Sequence, residues 1–107
     1  MNDLNSAFVV GKLIENPSID GDEKKVPELT LKIQNSHFSF DDKKNEYIPE
    51  HNIYEAVLFG KQGEKLSLNL KKGHRIGING RLSRRQDGTM IIIAHSIQYL
   101  DGPKKDE

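Results

Sequence analysis

The chain is 107 residues long, has no cysteine and carries a formal net charge of zero. That length fits one domain able to bury one modest core without staples. The lack of cysteine excludes disulfides, thiolate metal ligands and cysteine nucleophiles together. The polar opening, Met1 to Ser6, lacks the apolar run of a signal peptide, and the most apolar stretch, Met90 to Ala94, is far too short to cross a bilayer. A soluble, cytoplasmic protein with no membrane association is expected.

In chain order, Ser6 to Ile14 is rich in Phe and Val and stops before Asn16-Pro17, which reads as a strand closed by a turn. Asn16 to Lys25 carries Pro17 and Gly21 and reads as a loop or hairpin connection. Val26 to Asn35 alternates, with Leu29, Leu31 and Ile33 facing one way and Thr30, Lys32 and Gln34 the other, as in a half-buried strand. Ser36 to Asn52 is long and charged, with Phe38, Phe40 and Tyr47 set among lysines and acids, and reads as an extended hairpin arm. Ile53 to Phe59 is the third strand, and its parity puts Tyr54 with Ala56 and Leu58, in the interior or at an interface.

Between Lys61 and Leu70 the period changes. Leu66 and Leu70 share one face of a short helix, for which Gly73 is the expected C-terminal cap, with Lys71 and Lys72 near the negative end of its dipole. Arg75 to Arg85 returns to strand spacing, with Ile76, Ile78 and Leu82 on one face. Asp87-Gly88 signals a two-residue hairpin turn, and Thr89 to Leu100 is the last strand. The domain is expected over residues 1–100, with a short polar tail over 101–107. Three strands, a helix and two strands match the OB-fold plan, an order other small barrels share. The fold class expected is therefore all-β: a five-stranded OB-fold barrel with one short helix between strands three and four and a long hairpin joining strands two and three.

Charge is unevenly placed. Lys71 to Gln86 holds six basic residues (Lys71, Lys72, Arg75, Arg81, Arg84, Arg85) and no acid, while Asp20, Asp22, Glu23 and Glu28 gather elsewhere. A phosphate backbone senses such a stripe whatever the total charge, although many charge runs are only solvated faces. Catalytic patterns are missing. Gly60-Lys61 lacks the spacing of a phosphate-cradling loop, no Gly-x-Ser-x-Gly occurs, and His37, His51, His74 and His95 have no metal-ligand spacing. Neither enzyme activity, nor a metal, nor a cofactor is expected.

Five segments resemble the core of bacterial single-stranded DNA-binding proteins. They are Asn5 to Leu13 with Asn16-Pro17, Ala56 to Lys61, Leu70 to Gly73, Ile76 to Leu82 with Arg84-Arg85, and Ser96 to Leu100. The resemblance runs from Asn5 to about Leu100 and implies a barrel that assembles as a homo-oligomer, a homotetramer first and a dimer second, with single-stranded DNA on its outer face. It implies roles in replication, recombination or repair.

The chain departs from that family in having no tryptophan. The usual stacking platforms fall near His37 and Phe38 and on Ile53, with Glu55 where a cation would help. A third is replaced by the tight Asp87-Gly88 turn, and Phe59 keeps its aromatic. The chain stops at Lys104-Lys105-Asp106-Glu107, as a truncated form would, or as would a tailless relative such as the primosomal replication proteins. Single strands are held by a cationic groove and by aromatic faces that stack on bases. The candidate phosphate contacts are Lys32, Lys61, Lys72, Arg81, Arg84 and Arg85, with Lys43 and Lys44 closing from the arm. Phe38 and Phe59 are the stacking candidates, with Phe40 and Tyr47 as secondary ones. A replication-restart adaptor that binds DNA weakly and replication or restart proteins more specifically is the alternative reading.

Overall fold

Alternating apolar residues become strands throughout residues 3–21 and 26–102, which the computed structural model describes. Asp22 and Glu23 of the acidic segment and the tail from residue 103 lie outside the described residues. The elements are β1 (Ala7–Leu13), β2 (Ser18–Asp20), β3 (Glu28–Asp41), β4 (Glu46–Phe59), α1 (Gln62–Asn69), β5 (Arg75–Arg84) and β6 (Met90–Asp101). The sheet order is β1-β5-β6-β4-β3-β2, and β1 also pairs with β3 at Lys12↔Gln34 and Leu13↔Ile33, which closes the barrel. All pairings are antiparallel except β4 with β6, joined at Ala56↔Ile92 and Val57↔Ile93. Past the closing pairs, Asn35 Nδ2 donates to the Val10 carbonyl at 2.8 Å, holding β3 against β1.

The interior is filled from every main strand: Leu13, Leu29, Leu31, Ile33, Leu58, Ile76, Ile78 and Ile92 are all buried, and Leu70 seals the end below α1. Leu66 packs on the same core, as the helical spacing of Leu66 and Leu70 requires. The register between β5 and β6 slips at Asn79/Gly80: Asn79 faces Ser96 but Gly80 faces Ala94, so His95 is the extra residue of a bulge. At that point the strands cross closely. A Cβ on Gly80 would lie against the Ile93 carbonyl oxygen and 2.9 Å from Ala94 Cα, so only glycine fits.

The five-strand plan, its single helix and the long hairpin arm hold, with two local differences. Part of the expected loop or hairpin connection after the first strand is β2, which pairs with β3 at Ser18↔Thr30 through Asp20↔Glu28. The arm is a continuation of the sheet: β3 and β4 run 14 residues each and stay in register to Asp41↔Glu46. Gly73 does not cap α1. The helix ends at Asn69, Leu70 is already extended, and Gly73 sits in a turn closed by His74 N–H to the Lys71 carbonyl at 3.1 Å. Lys71 and Lys72 therefore lie beyond the last helical turn. The β5–β6 connection runs from Arg85 to Thr89, and three residues, Gln86, Asp87 and Gly88, lie between those hydrogen-bonded ends rather than two. Gly88 N–H donates to Arg85 O, Arg85 N–H donates to Thr89 O, and Gly88 stands at φ 92°, the pattern of a type I turn closed by a left-handed glycine. Asp87 Oδ1 accepts from the Thr89 amide at 2.9 Å and from its hydroxyl at 2.7 Å, and these bonds hold its carboxyl below the usual carboxylate range.

Candidate nucleic-acid interface

Side chains alternate across a strand, so the buried Leu29, Leu31 and Ile33 send Lys32, Gln34, Ser36, Phe38 and Phe40 to the outside of β3. Register then fixes what stands beside them on β4: Phe59 opposite Glu28, Glu55 opposite Lys32, Ile53 opposite Gln34, His51 opposite Ser36, Pro49 opposite Phe38 and Tyr47 opposite Phe40. One outer ribbon face thus carries Lys32, Phe38, Phe40, Tyr47 and Phe59. Phe38 and Tyr47 are each 71% exposed, while Phe40 and Tyr47 meet edge-on with centroids 5.3 Å apart. At about 3.3 Å per residue, Phe38 and Phe59 stand about 33 Å apart along the ribbon.

The same face continues across β6 to β5, because Val57 neighbours Ile93 and Ile93 neighbours Arg81. Arg81 therefore joins the surface that carries Lys32 and Phe59. Lys43 and Lys44 lie in the arm-tip turn, where their amides donate to Asp41 Oδ1 at 2.9 and 3.4 Å. Asn45 completes that turn at φ 52°, a left-handed position that asparagine tolerates.

Arg85 also reaches this face, but it is engaged. Its Nη2 donates to Glu55 Oε1 at 2.7 Å, between side chains only about one-third exposed. The Arg85 hydrogen bond holds the Glu55 carboxyl below its usual range against the opposing effect of burial, and the same bond raises Arg85 further. Lys32, the cross-strand neighbour of Glu55, lies 3.8 Å from Glu15 Oε1. Between Lys32 and Phe38 lies a polar cluster: His51 Nδ1 is 2.7 Å from Ser36 Oγ and 3.1 Å from Gln34 Nε2.

Three candidates stand apart from the face. Lys61 occupies the position preceding α1, two residues past Phe59. Lys72 borders a cleft with Lys12 and Arg75 that meets the face only at Gln34 and Ser36. Arg84 has the opposite parity to Arg85 and borders a shallow site with Asp3 to Ser6, where Asn5 pairs with the Leu82 backbone through both its amide groups. Two residues with the parity of the core are not enclosed by it, which leaves Tyr54 the place at an interface that its parity also allowed. Leu82 is 44% exposed and Tyr54 is 39% exposed, although both keep the inward parity. They lie past the packed core, where the barrel opens into a cleft of ≈ 680 Å³ shared with Ile14, Met90 and Ile92. Periodicity gives the facing of a residue but not its distance from the end of the barrel.

Sequence reading put Gln34 beside Lys32 without making it a site residue, and missed Ser36, which shares the parity of Lys32 and Phe38, and His51, which shares that of Phe59. The Glu55–Arg85 pair, 30 residues apart in sequence, had no local signal. Among the described residues no cluster of His, Asp or Glu is placed to hold a metal ion, and no helix is long and apolar enough to cross a membrane.

A closed barrel of this strand order, with a short helix before its last two strands, is an OB-fold barrel. The chain belongs to the single-strand binding protein family, whose family model matches residues 4–90. It is 28% identical over 106 residues to the single-stranded DNA-binding protein of Bacillus cereus, covering 92% of this chain and 61% of that one. It is 25% identical to the single-stranded DNA-binding protein of Aquifex aeolicus, covering 97% and 75%.

Two solved structures share the fold. A deletion mutant of the single-stranded DNA-binding protein from Thermus aquaticus superposes with a TM-score of 0.82 at 24% identity, covering 92% of this chain and 51% of that one. The Plasmodium falciparum SSB in complex with single-stranded DNA superposes with a TM-score of 0.83 at 21% identity, covering 94% and 98%. The chain thus spans about three-fifths of the B. cereus relative and half of the T. aquaticus chain.

Proposed function

We propose that the chain binds single-stranded DNA, with little regard to sequence, on the outer face of β3 and β4 and its continuation over β6 to Arg81. The observation that carries this reading is the ribbon itself: Phe59 at one end, Phe38, Phe40 and Tyr47 toward the other, and Lys32 between them, all on one exposed face. Stacking on aromatic faces is worth about 1–3 kcal/mol per base and tolerates any base, and the cations supply a salt-dependent hold on the backbone. The reading contains no reaction. It places the protein in the cytoplasm, serving replication, recombination or repair. The likeness to relatives that bind single-stranded DNA supports it, as does the P. falciparum SSB solved with that ligand.

The oligomer belongs to the same proposal, a homotetramer first and a dimer second. Phe8 is 59% exposed on the outside of β1, and β1 meets β3 only from Val10, whose carbonyl takes Asn35, to Leu13, which among the described residues leaves an open strand edge from Ala7 to Val9. Such an edge is a template for pairing with a second strand.

Labelled oligo-dT titrated at two salt concentrations, with duplex DNA as competitor, tests the binding claim. Saturable binding that weakens with salt and resists the duplex is expected. No binding at low salt, or a preference for duplex, contradicts it and leaves the restart-adaptor reading.

Glu55 holds back one cation of the face, which gives a second test. Glu55→Gln removes the carboxylate that occupies Arg85. The variant is expected to bind oligo-dT more tightly, with a log–log salt slope steeper by about 0.7, the value of one more phosphate contact on a single strand. Acid acts in the same direction. The Glu55 pKa is depressed by folding, so the pair persists above the ordinary glutamate value of 4.5 and is lost only as the pH falls below it. An unchanged slope in Glu55→Gln would show that Arg85 takes no part in binding.

A further inference from the structure

Between Lys32 and the arm tip, the outer face of β3 and β4 loses its cations. The outward positions from Gln34 to Phe40 on β3 and from Tyr47 to Ile53 on β4 hold no lysine or arginine. No fixed positive charge is there to hold a phosphate, so the grip on a strand crossing this stretch is left to its bases. Phe38 offers them a flat face, and Pro49 and Ile53, two residues to either side of His51, offer apolar ones. Base edges need polar groups instead. Those at the centre of the stretch belong to Gln34, Ser36 and His51.

Ser36 and His51 are cross-strand partners, and Gln34 stands 3.4 Å from Ser36 Oγ through its Nε2, so the three groups form one cluster around His51 Nδ1. Each of them has a polarity that reverses. A hydroxyl rotates, a carboxamide turns over, and a neutral imidazole moves its proton from one ring nitrogen to the other. The cluster reverses as a unit. With Nδ1 accepting, the ring proton sits on Nε2 and that nitrogen donates outward. With Nδ1 donating to Ser36 Oγ, Nε2 accepts. His51 Nε2 and Gln34 Oε1 have no hydrogen-bond partner among the described residues, and Ser36 and His51 are exposed, so these atoms are free to meet a ligand.

The bases differ in what their edges present. Thymine carries a carbonyl where cytosine carries an amino group, so a site of fixed polarity selects between them. A site that reverses takes either. We propose that Gln34, Ser36 and His51 form a reversible hydrogen-bonding site for the edge of a nucleobase, and that this reversibility keeps the cation-free stretch tolerant of sequence. The site specifies how the face proposed above meets its ligand, and it rests on that reading.

Two measurements test it. In the first, oligo-dT is compared with a strand of equal length built from N3-methylthymidine, which keeps the flat ring and the phosphates but blocks the N3–H edge. The parent is expected to bind the unmethylated strand about tenfold more tightly, the worth of one or two hydrogen bonds. The double variant Gln34→Met, His51→Phe keeps the side-chain sizes and a flat ring but removes the polar atoms. Neither residue belongs to the buried core, so the variant keeps the fold, and the difference between the two strands should disappear in it. Equal affinity of the parent for both strands, or the same difference in the variant, overturns the site.

In the second, the polarity is fixed. Gln34→Glu puts a carboxylate, which only accepts, in place of the carboxamide that turns over. The ratio of oligo-dC to oligo-dT affinity should move about tenfold toward oligo-dC, because a carboxylate accepts from the cytosine N4 amino group and repels the thymine carbonyl. The added negative charge by itself weakens both strands equally, so an unchanged ratio overturns the reversibility. Failure of the parent to bind any of these strands at low salt overturns the function proposed above. Binding of oligo-dT with no penalty for methylation overturns only the base-edge site and leaves that function standing.

Discussion

Replacing Phe38 and Phe59 together by alanine is expected to weaken oligo-dT binding by about 2–6 kcal/mol, the sum of two stacking contributions. The two rings stand about 33 Å apart along the ribbon and share no partner, so their losses should add. The low end of that range is already about a 30-fold loss. The thermal midpoint should barely move, because Phe38 is 71% exposed and Phe59 is 46% exposed, and neither belongs to the buried cluster. Titration of each single variant and of the double variant, beside a melting curve, separates the outcomes. A binding loss with an unchanged melt assigns the rings to the ligand. A lowered melt with proportionate loss of binding would make them structural. With no tryptophan in the chain, the proposed face offers few aromatic platforms, and each ring is expected to matter more.

Gly80→Ala is expected to have the largest effect on stability. The added methyl runs into the backbone of β6, at the Ile93 carbonyl and Ala94 Cα, at the bulge where β5 and β6 cross. Backbone cannot rotate away as a side chain can, so the strands must separate or the bulge must move. Overpacking of this kind costs typically 1–3 kcal/mol and sometimes more, and the upper end, about 3 kcal/mol, is expected. Each kcal/mol lowers the midpoint of a domain this size by about 4–8 °C, so the melt should fall by more than about 10 °C. Gly88→Ala is the useful control. Nothing lies near its added methyl, and only the positive φ is strained. A Gly80 variant that melts within about 2 °C of the parent would mean that the crossing is looser than the structure places it.

Much of the fold was legible because period is local. Leu29, Leu31 and Ile33 fixed the inward face of β3, and the same alternation carried on to Phe38 and Phe40, so their facing beside Lys32 could be read before any pairing was known. Leu66 and Leu70 likewise marked the helix. What was not legible depended on closure or on ends. Leu82 and Tyr54 have the right parity, but they fall where the barrel opens, and no pattern in the chain says where the packed interior stops. Gly73 follows a helix closely enough to suggest a cap, yet the chain turns extended at Leu70 so that it can hydrogen-bond back to β1.

The charged pairs were the least accessible. Glu55 meets Arg85 because β6 pairs with β4 from Ala56↔Ile92, which brings the β5–β6 turn beside Glu55. Lys12, Lys72 and Arg75 share a cleft because β1 pairs on both of its edges near Lys12, with β5 and with β3. In the sequence, Arg85 belongs to an unbroken basic stripe. In the fold that stripe divides: Lys72 and Arg75 go to the cleft, Arg81 to the ribbon face, Arg84 to the opposite side, and Arg85 to a carboxylate. The net charge of zero and the basic stripe are therefore both poor guides to the field that a strand would meet, and register is the better one.

Photo-crosslinking of oligo-dT followed by mapping of the linked residues tests the central claim most directly. The account predicts crosslinks on the outer face of β3 and β4, at Phe38, Phe59 and the Phe40–Tyr47 pair, lost in competition with unlabelled single strand but not with duplex. Crosslinks concentrated on α1, or on the side of the barrel that carries Arg84, would contradict it.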